Sequence, residues 1–302
     1  MLGTGRQPAR RRWSVVKWLA DPCDIRLRTE GPVAYITIDK PEKRNAMSLG
    51  TLTELRDAML ECDDRKAVRC VVLEGAGKDF CSGADMTPVG EDLPYDPADY
   101  RAFDTVEDDL WQVRLRSELR LAIFRMHKPV IAKVQGNCLA AGTDVAFNCD
   151  LVVAADDARF GFPAARSLGS PANHMWLYLV GPQWAKRLLL TGDVVDGRTA
   201  ARLGLALESH PAAELGERVD ELAQRIALMD PALAAAHKRV VNAGLELMGW
   251  DVLQRMAADT DVRAHQSAAN KEFIATASSE GFRAAVHRRD APYGASEVVL
   301  RD

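Results

Sequence analysis

Apolar residues follow two different periods along this chain. Short continuous runs, rich in β-branched residues, occur at 25–28, 33–38, 69–74, 129–134 and 151–155. Such runs predict strands, and their continuity predicts that most are buried on both faces. Between and after them, apolar residues recur every three or four positions, which predicts helices over 48–62, 110–126, 176–190 and 196–202. Glu30-Gly31-Pro32 is a hairpin signal between the first two strands. Ser48 is placed to cap a helix whose Leu49, Leu52, Leu55, Met59 and Leu60 share one face. Lys128-Pro129 ends the helix before the fourth strand, and Gly192 closes the one after the fifth. Residues 87–104 are rich in Pro, Asp and Tyr and lack a period, which predicts a mobile loop. From 214 onward the pattern is helical throughout: Leu215, Val219, Leu222 and Ile226 share a face, and Pro231 starts the next helix. Three segments follow: an extension at 1–24 expected to be disordered, an α/β core at 25–213, and a helical region at 214–302.

Composition narrows the function classes. With 302 residues, 47% of them hydrophobic and 27% charged, the chain has the make-up of a soluble globular protein with one large core. A net charge of −4 supplies no basic field for nucleic acid. No apolar stretch approaches the ~18 residues of a membrane span. The six cysteines (Cys23, Cys62, Cys70, Cys81, Cys138, Cys149) form no CxxC pair, and neither they nor the six scattered histidines show metal-ligand spacing. They fit buried hydrophobes in a reducing, cytoplasmic setting. The arginine-rich start, Arg6 and Arg10 to Arg12, lacks the serines of a transit peptide.

Candidate chemistry concentrates at 128–150. After the strand, a turn at Gly136 and Asn137 leads into Ala140-Ala141-Gly142 and an apolar helical segment. Small side chains where a loop enters a helix admit another molecule close to the backbone, and the first N–H groups of the helix suit a developing oxyanion. Asp144 is the only ionisable side chain between Lys133 and Asp150. It is either an acid–base group or an acid that complements the helix dipole.

Three segments taken together resemble the enoyl-CoA hydratase/isomerase (crotonase) superfamily. They are Lys-Arg-Asn-Ala-Met-Ser (43–48), Phe-Cys-Ser-Gly-Ala-Asp-Met (80–86) and Gly-Asn-Cys-Leu-Ala-Ala-Gly-Thr-Asp-Val-Ala-Phe-Asn-Cys-Asp (136–150), followed by Ala-Arg-Phe-Gly-Phe-Pro (158–163). The resemblance covers roughly 25–290. It implies a spiral of ββα units with a helical C-terminal trimerisation region, giving a homotrimer or dimer of trimers. It implies an acyl-CoA substrate, coenzyme A entering as part of the thioester, with no separate cofactor and no metal. By motif position, the backbone N–H groups of Ala84 and Ala141 would hold the thioester oxygen. Arg44, Ala46, Asp85, Met86 and Arg288 would contact the coenzyme A portion, Arg288 often across a subunit boundary.

The family's hydratases use two acids, and here the pattern breaks. The first corresponds to Asp144, and the second corresponds to Ala164, which carries no proton. Asn173 and His174 fall close to the site, and His174 is a candidate for the missing proton transfer or, equally, a cap for the helix entered at Trp176. The leading expectation is hydration or dehydration of a 2-enoyl-CoA. Isomerase, hydrolase or decarboxylase chemistry of the same superfamily, and non-catalytic acyl-CoA binding, stand beside it.

Overall fold

A computed structural model describes residues 16–87, 96, 99–101, 105–298 and 300. The expected mobile loop at 87–104 lies largely outside these residues, as does the extension before residue 16. Residues 16–24, expected as part of that extension, are largely exposed but anchored at points. Leu19 is 3% exposed, and the Lys17 and Trp18 N–H groups donate to Glu61 Oε2 at 2.7 and 2.8 Å.

The main sheet has six strands: β1 (Ile25–Glu30), β2 (Val33–Ile38), β3 (Cys70–Gly75), β4 (Val130–Val134), β6 (Leu151–Ala155) and β9 (Glu208–His210), side by side in that order. β1 and β2 form the antiparallel hairpin that Gly31 permits, and every later neighbour is parallel. Central strands such as Cys70-Val-Val-Leu are buried along their length, as the unbroken apolar runs predict. A smaller mixed sheet, not read from the sequence, joins β5 (Asn137–Leu139), β7 (Arg159–Gly161), β8 (Val194–Asp196) and β10 (Glu297–Val298) in the order β10-β8-β7-β5. Its strands are two or three residues long, too short for a two-residue period to show. The turn expected at Gly136 and Asn137 is therefore only Gly136, because Asn137 already pairs with Arg159.

Helix α1 (Leu49–Asp64) starts in a capping box, the Ser48 Oγ accepting from the Thr51 N–H, and buries Leu52, Leu55 and Met59. Helix α2 (Val106–Arg125) follows, then α3 (Ala141–Ala146), α4 (Trp176–Thr191) and α5 (Gly197–Leu203). A kink at Gly181-Pro182 interrupts α4, which the sequence pattern showed as continuous. The C-terminal region holds α6 (Leu215–Ala227), α7 (Pro231–Leu247), α8 (Trp250–His265), α9 (Ala268–Glu280) and α10 (Phe282–Asp290). α6 packs Leu215, Val219 and Ala223 against the main sheet. α8 lies on α2, where Phe124 and Trp250 stack with centroids 4.1 Å apart. Among the described residues no helix is long and apolar enough to cross a membrane.

Candidate active site

Three chain segments meet at the start of α3. The 80–86 segment runs beside β5: the Cys81 N–H donates to Asn137 O at 2.8 Å, and the Leu139 N–H donates back to Cys81 O at 3.0 Å. The 44–47 loop crosses the same segment. Ser82 N–H donates to Arg44 O, Met47 N–H to Gly83 O and Asp85 N–H to Met47 O, at 3.0, 2.9 and 2.9 Å. That loop is shaped by Asn45, which is fully buried. Its Oδ1 accepts from the Lys40 N–H, and its Nδ2 donates to Ala76 O and Asp79 O at 2.8 and 2.7 Å.

Two glycines allow the approach. Gly83 has φ +123°, and a Cβ there would lie 3.2 Å from the Ala140 Cβ. A Cβ on Gly142 would lie 2.6 Å from Cys81 O, inside any real contact distance. Ala140 itself sits at φ 50°, a strained position for a residue with a side chain. It is held there by its N–H on Gly161 O at 2.9 Å and by the Thr143 hydroxyl on its carbonyl at 2.6 Å.

The result is a cradle with two donors left over. Neighbouring groups of Ala84 and Ala141 are hydrogen-bonded, yet among the described residues the Ala84 and Ala141 N–H groups donate to nothing. Two fixed N–H donors side by side match an oxygen on which negative charge develops. This is where the sequence placed the oxyanion site.

Asp144 follows one turn into α3, 3% exposed and with Oδ1 lacking a hydrogen-bond partner. Burial pushes its carboxyl up to about 7, against the pull of Arg120 and with a further push from Asp261. Burial is the largest influence on this carboxyl. A carboxyl with its pKa near neutrality exchanges protons in either direction at working pH.

The remaining predicted residues divide. Arg44 is exposed, Ala46 is buried beneath the cradle and Met86 is exposed, all on the crossing between the 44–47 loop and the 80–86 segment. Asp85 accepts from Lys43 Nζ at 3.0 Å and from the Thr87 N–H at 3.0 Å. Burial works to raise its pKa, but the Thr87 and Lys43 hydrogen bonds overcome this and hold it well below the usual carboxylate range. Arg288 stands apart from this group: it is bidentate to Glu280 of α9 at 2.9 and 3.0 Å and 54% exposed. His174 does not cap α4, whose N-cap is Met175 with no side-chain bond. Its backbone is instead clamped by Gln254, which accepts from the His174 N–H at 2.9 Å and donates to its carbonyl at 3.1 Å. Its Nδ1 is buried without a partner, and burial lowers its pKa, favouring the neutral ring. Ala164 lies in the turn at Pro163–Arg166 and supplies no acid.

Sequence reasoning missed Arg120 and Asp261. Arg120 is 5% exposed on α2, its Nη1 3.8 Å from Asp144 Oδ2 and 3.3 Å from Asn173 Oδ1. The signal was present: Val113, Ser117, Arg120 and Phe124 are spaced as one buried helical stripe, and an arginine on such a stripe needs a partner. Among the described residues, no group of three or more His, Cys, Asp or Glu side chains is placed to hold a metal ion.

A largely parallel α/β core with open backbone N–H donors near a buried carboxyl is an arrangement able to hold an oxygen that gains negative charge next to a group that exchanges protons. Residues 28–295 match the family model described as Enoyl-CoA hydratase/isomerase, and the chain belongs to that family. It is similar to the crotonyl-CoA hydratase of Syntrophomonas wolfei, 30% identical over 242 residues that cover 79% of this chain and 87% of the relative. The short-chain-enoyl-CoA hydratase of Clostridium acetobutylicum is also 30% identical, over 74% of this chain and 82% of its own. Among solved structures, an enoyl-CoA hydratase from Mycobacterium smegmatis superposes with a TM-score of 0.85 at 33% identity, covering 92% of this chain and 98% of the other. The chain therefore has the crotonase fold, with two mixed sheets and a helical C-terminal region.

Proposed function

We propose that this member of the family hydrates a 2-enoyl-CoA thioester, or dehydrates the 3-hydroxy product, through an enolate-like intermediate. In this reading the Ala84 and Ala141 N–H groups hold the thioester oxygen. Ionised Asp144 takes a proton from the water whose oxygen bonds to C3. The C2=C3 electron pair moves onto the thioester as an enolate, C2 takes a proton from a second water, and the hydroxide so formed recovers the proton held by Asp144. Each donor can contribute on the order of 3 kcal/mol to the transition state. Arg120 keeps part of Asp144 ionised near pH 7 despite its burial.

The observation that carries the reading is the juxtaposition of a poised, partly unpartnered Asp144 carboxyl with two spare N–H donors. Turnover of crotonyl-CoA alongside a binding titration of butyryl-CoA tests it. Tight binding with no turnover of any acyl-CoA in a broad panel would leave a non-catalytic acyl-CoA carrier. The missing carboxyl at Ala164 favours a second reading, thioester hydrolysis or decarboxylation, in which the oxyanion cradle does most of the work.

Two further properties belong to this proposal. α7 leaves Val240, Val241 and Leu247 largely exposed, Leu247 by 90%. An apolar face of that kind is covered in a homotrimer or dimer of trimers, where Arg288 of one copy would face the coenzyme A phosphates of its neighbour. All six cysteines are free thiols, which supports a reducing, cytoplasmic setting.

A further inference from the structure

In the acyl-CoA reading, an acyl group held at the Ala84 and Ala141 N–H groups would meet the surroundings of Asp144, which α2 and residues 169–174 supply. What it meets there is polar. Arg120 has one contact of 3.3 Å to Asn173 Oδ1 and a 3.8 Å approach to Asp144, too long for a hydrogen bond, and its Nε is buried without a partner. Asp144 Oδ1 and His174 Nδ1 are buried and unpartnered too. Behind them, Asn173 Nδ2 donates to Ser117 Oγ at 2.8 Å. α8 continues the wall: Asp261 accepts from the Ser170 N–H at 2.8 Å, and His265 lies between Asp261 and Asp109 at 3.5 and 2.8 Å.

One explanation is that Arg120 and Asp144 form an ion pair that only holds the fold. A buried pair of that kind stabilises when it is close, bidentate and fully hydrogen-bonded. This pair is none of these, and each partner keeps a buried atom without a hydrogen-bond partner among the described residues. Buried donors left open are satisfied when a ligand oxygen arrives. The charges around Arg120 decide what kind of oxygen fits. Asp144 and Asp261 already crowd Arg120, and burial together with the nearby carboxyls holds both above the usual carboxylate range. A further carboxylate would add to that repulsion, whereas a neutral oxygen accepts from Arg120 without adding charge.

Resting on the acyl-CoA reading above, we propose that the acyl half of this site takes an oxygenated acyl group, with a neutral hydroxyl or carbonyl oxygen at the fourth carbon or beyond, and that Arg120 reads that oxygen. An alkyl tail in the same place strands the guanidinium donors. A site built to hydrogen-bond an oxygen rejects the analogue lacking it by a large factor, on the order of 10²-fold or more.

The test is calorimetric binding of two thioesters with the same number of heavy atoms, 5-hydroxypentanoyl-CoA and hexanoyl-CoA. The parent protein should bind the hydroxylated thioester at least ~30-fold more tightly. Arg120→Met should bring the two affinities within about threefold of each other, chiefly by weakening the hydroxylated one, while Arg120→Lys retains part of the preference. Equal or tighter binding of hexanoyl-CoA by the parent overturns the proposal, and so does a preference that survives in folded Arg120→Met. If Arg120→Met does not fold, the parent comparison still decides. Binding of neither thioester would remove the acyl-CoA reading and this inference together, whereas tight, unselective binding removes this inference alone.

Discussion

On one side of Asp144, backbone hydrogen bonds between 44–47, 80–86 and β5 fix the neighbourhood of Ala84 and Ala141, with the Asn45 and Thr143 side chains bracing backbone groups beside them. On the other side, Arg120, Asn173, Asp261 and His265 build a wall from side chains, in which Arg120 Nε, like Asp144 Oδ1 beside it, is buried without a hydrogen-bond partner among the described residues. In the proposed reading the first region, with its two open N–H groups, would serve any thioester, because every thioester presents the same oxygen. The second, with buried polar atoms left open, would suit only particular acyl groups. On that reading, binding of the thioester oxygen rests in backbone geometry that changes little with sequence, and selectivity rests in side chains that change easily.

The comparison can be broken at Asp144, where the two regions meet. Asp144→Asn keeps the volume and removes the base. Turnover should fall on the order of 10²–10⁴-fold with acyl-CoA affinity little changed, measured by steady-state kinetics and calorimetry on one preparation. Unchanged turnover would make Asp144 only a helix-start acid. Gly142→Ala attacks the cradle instead: its Cβ would lie 2.6 Å from Cys81 O, so α3 must shift and the Ala141 N–H with it. A loss of kcat on the order of 10²-fold is expected, with KM changing less. Wild-type kcat in that variant would show that the Ala141 N–H is not a donor.

Smaller effects sharpen the contrast. Asn45→Ala leaves the carbonyls of Ala76 and Asp79 and the Lys40 N–H without their buried partner, and should destabilise the fold by about 2–3 kcal/mol in urea unfolding. No change in midpoint would mean that the 44–47 loop is held by its backbone alone.

A further effect concerns pH and stability. The Asp144 pKa is raised from its ordinary value to about 7, so its contribution to stability is full below the unfolded pKa of 3.8 and is lost as pH rises through about 7. Asn at 144 does not titrate. The Tm of Asp144→Asn relative to the parent should therefore climb between pH 4 and pH 8, partly offset by the lost partner of Arg120. A constant difference across that range would mean that Asp144 is not strongly raised.

Much of the fold could be read from runs such as Cys70-Val-Val-Leu and from the Ser48 cap, because strand burial and helix capping are local signals. The close approach of the two backbones was legible for a related reason, since it requires small residues at fixed spacing, as in Gly83-Ala84 and Ala141-Gly142; the oxyanion role given to Ala84 and Ala141 remains part of the proposal. The small sheet was not legible, because β5, β7, β8 and β10 are too short to carry a period. Arg120 and Asp261 reach Asp144 across 24 and 117 residues of sequence, from α2 and α8, and no local pattern joins them. The kink at Gly181-Pro182 was legible in principle and was passed over in favour of the apolar period around it.

The central claim is that a single buried carboxyl beside two spare N–H groups adds water to an enoyl thioester. Crotonyl-CoA incubated with the protein in oxygen-18 water, and analysed by mass spectrometry, tests it most directly. The account predicts 3-hydroxybutyryl-CoA with one heavy oxygen on C3 and an unlabelled thioester, formed by the parent and lost in Asp144→Asn. Recovery of unchanged crotonyl-CoA from a parent protein that binds butyryl-CoA, or label found in a released carboxylate, would contradict it.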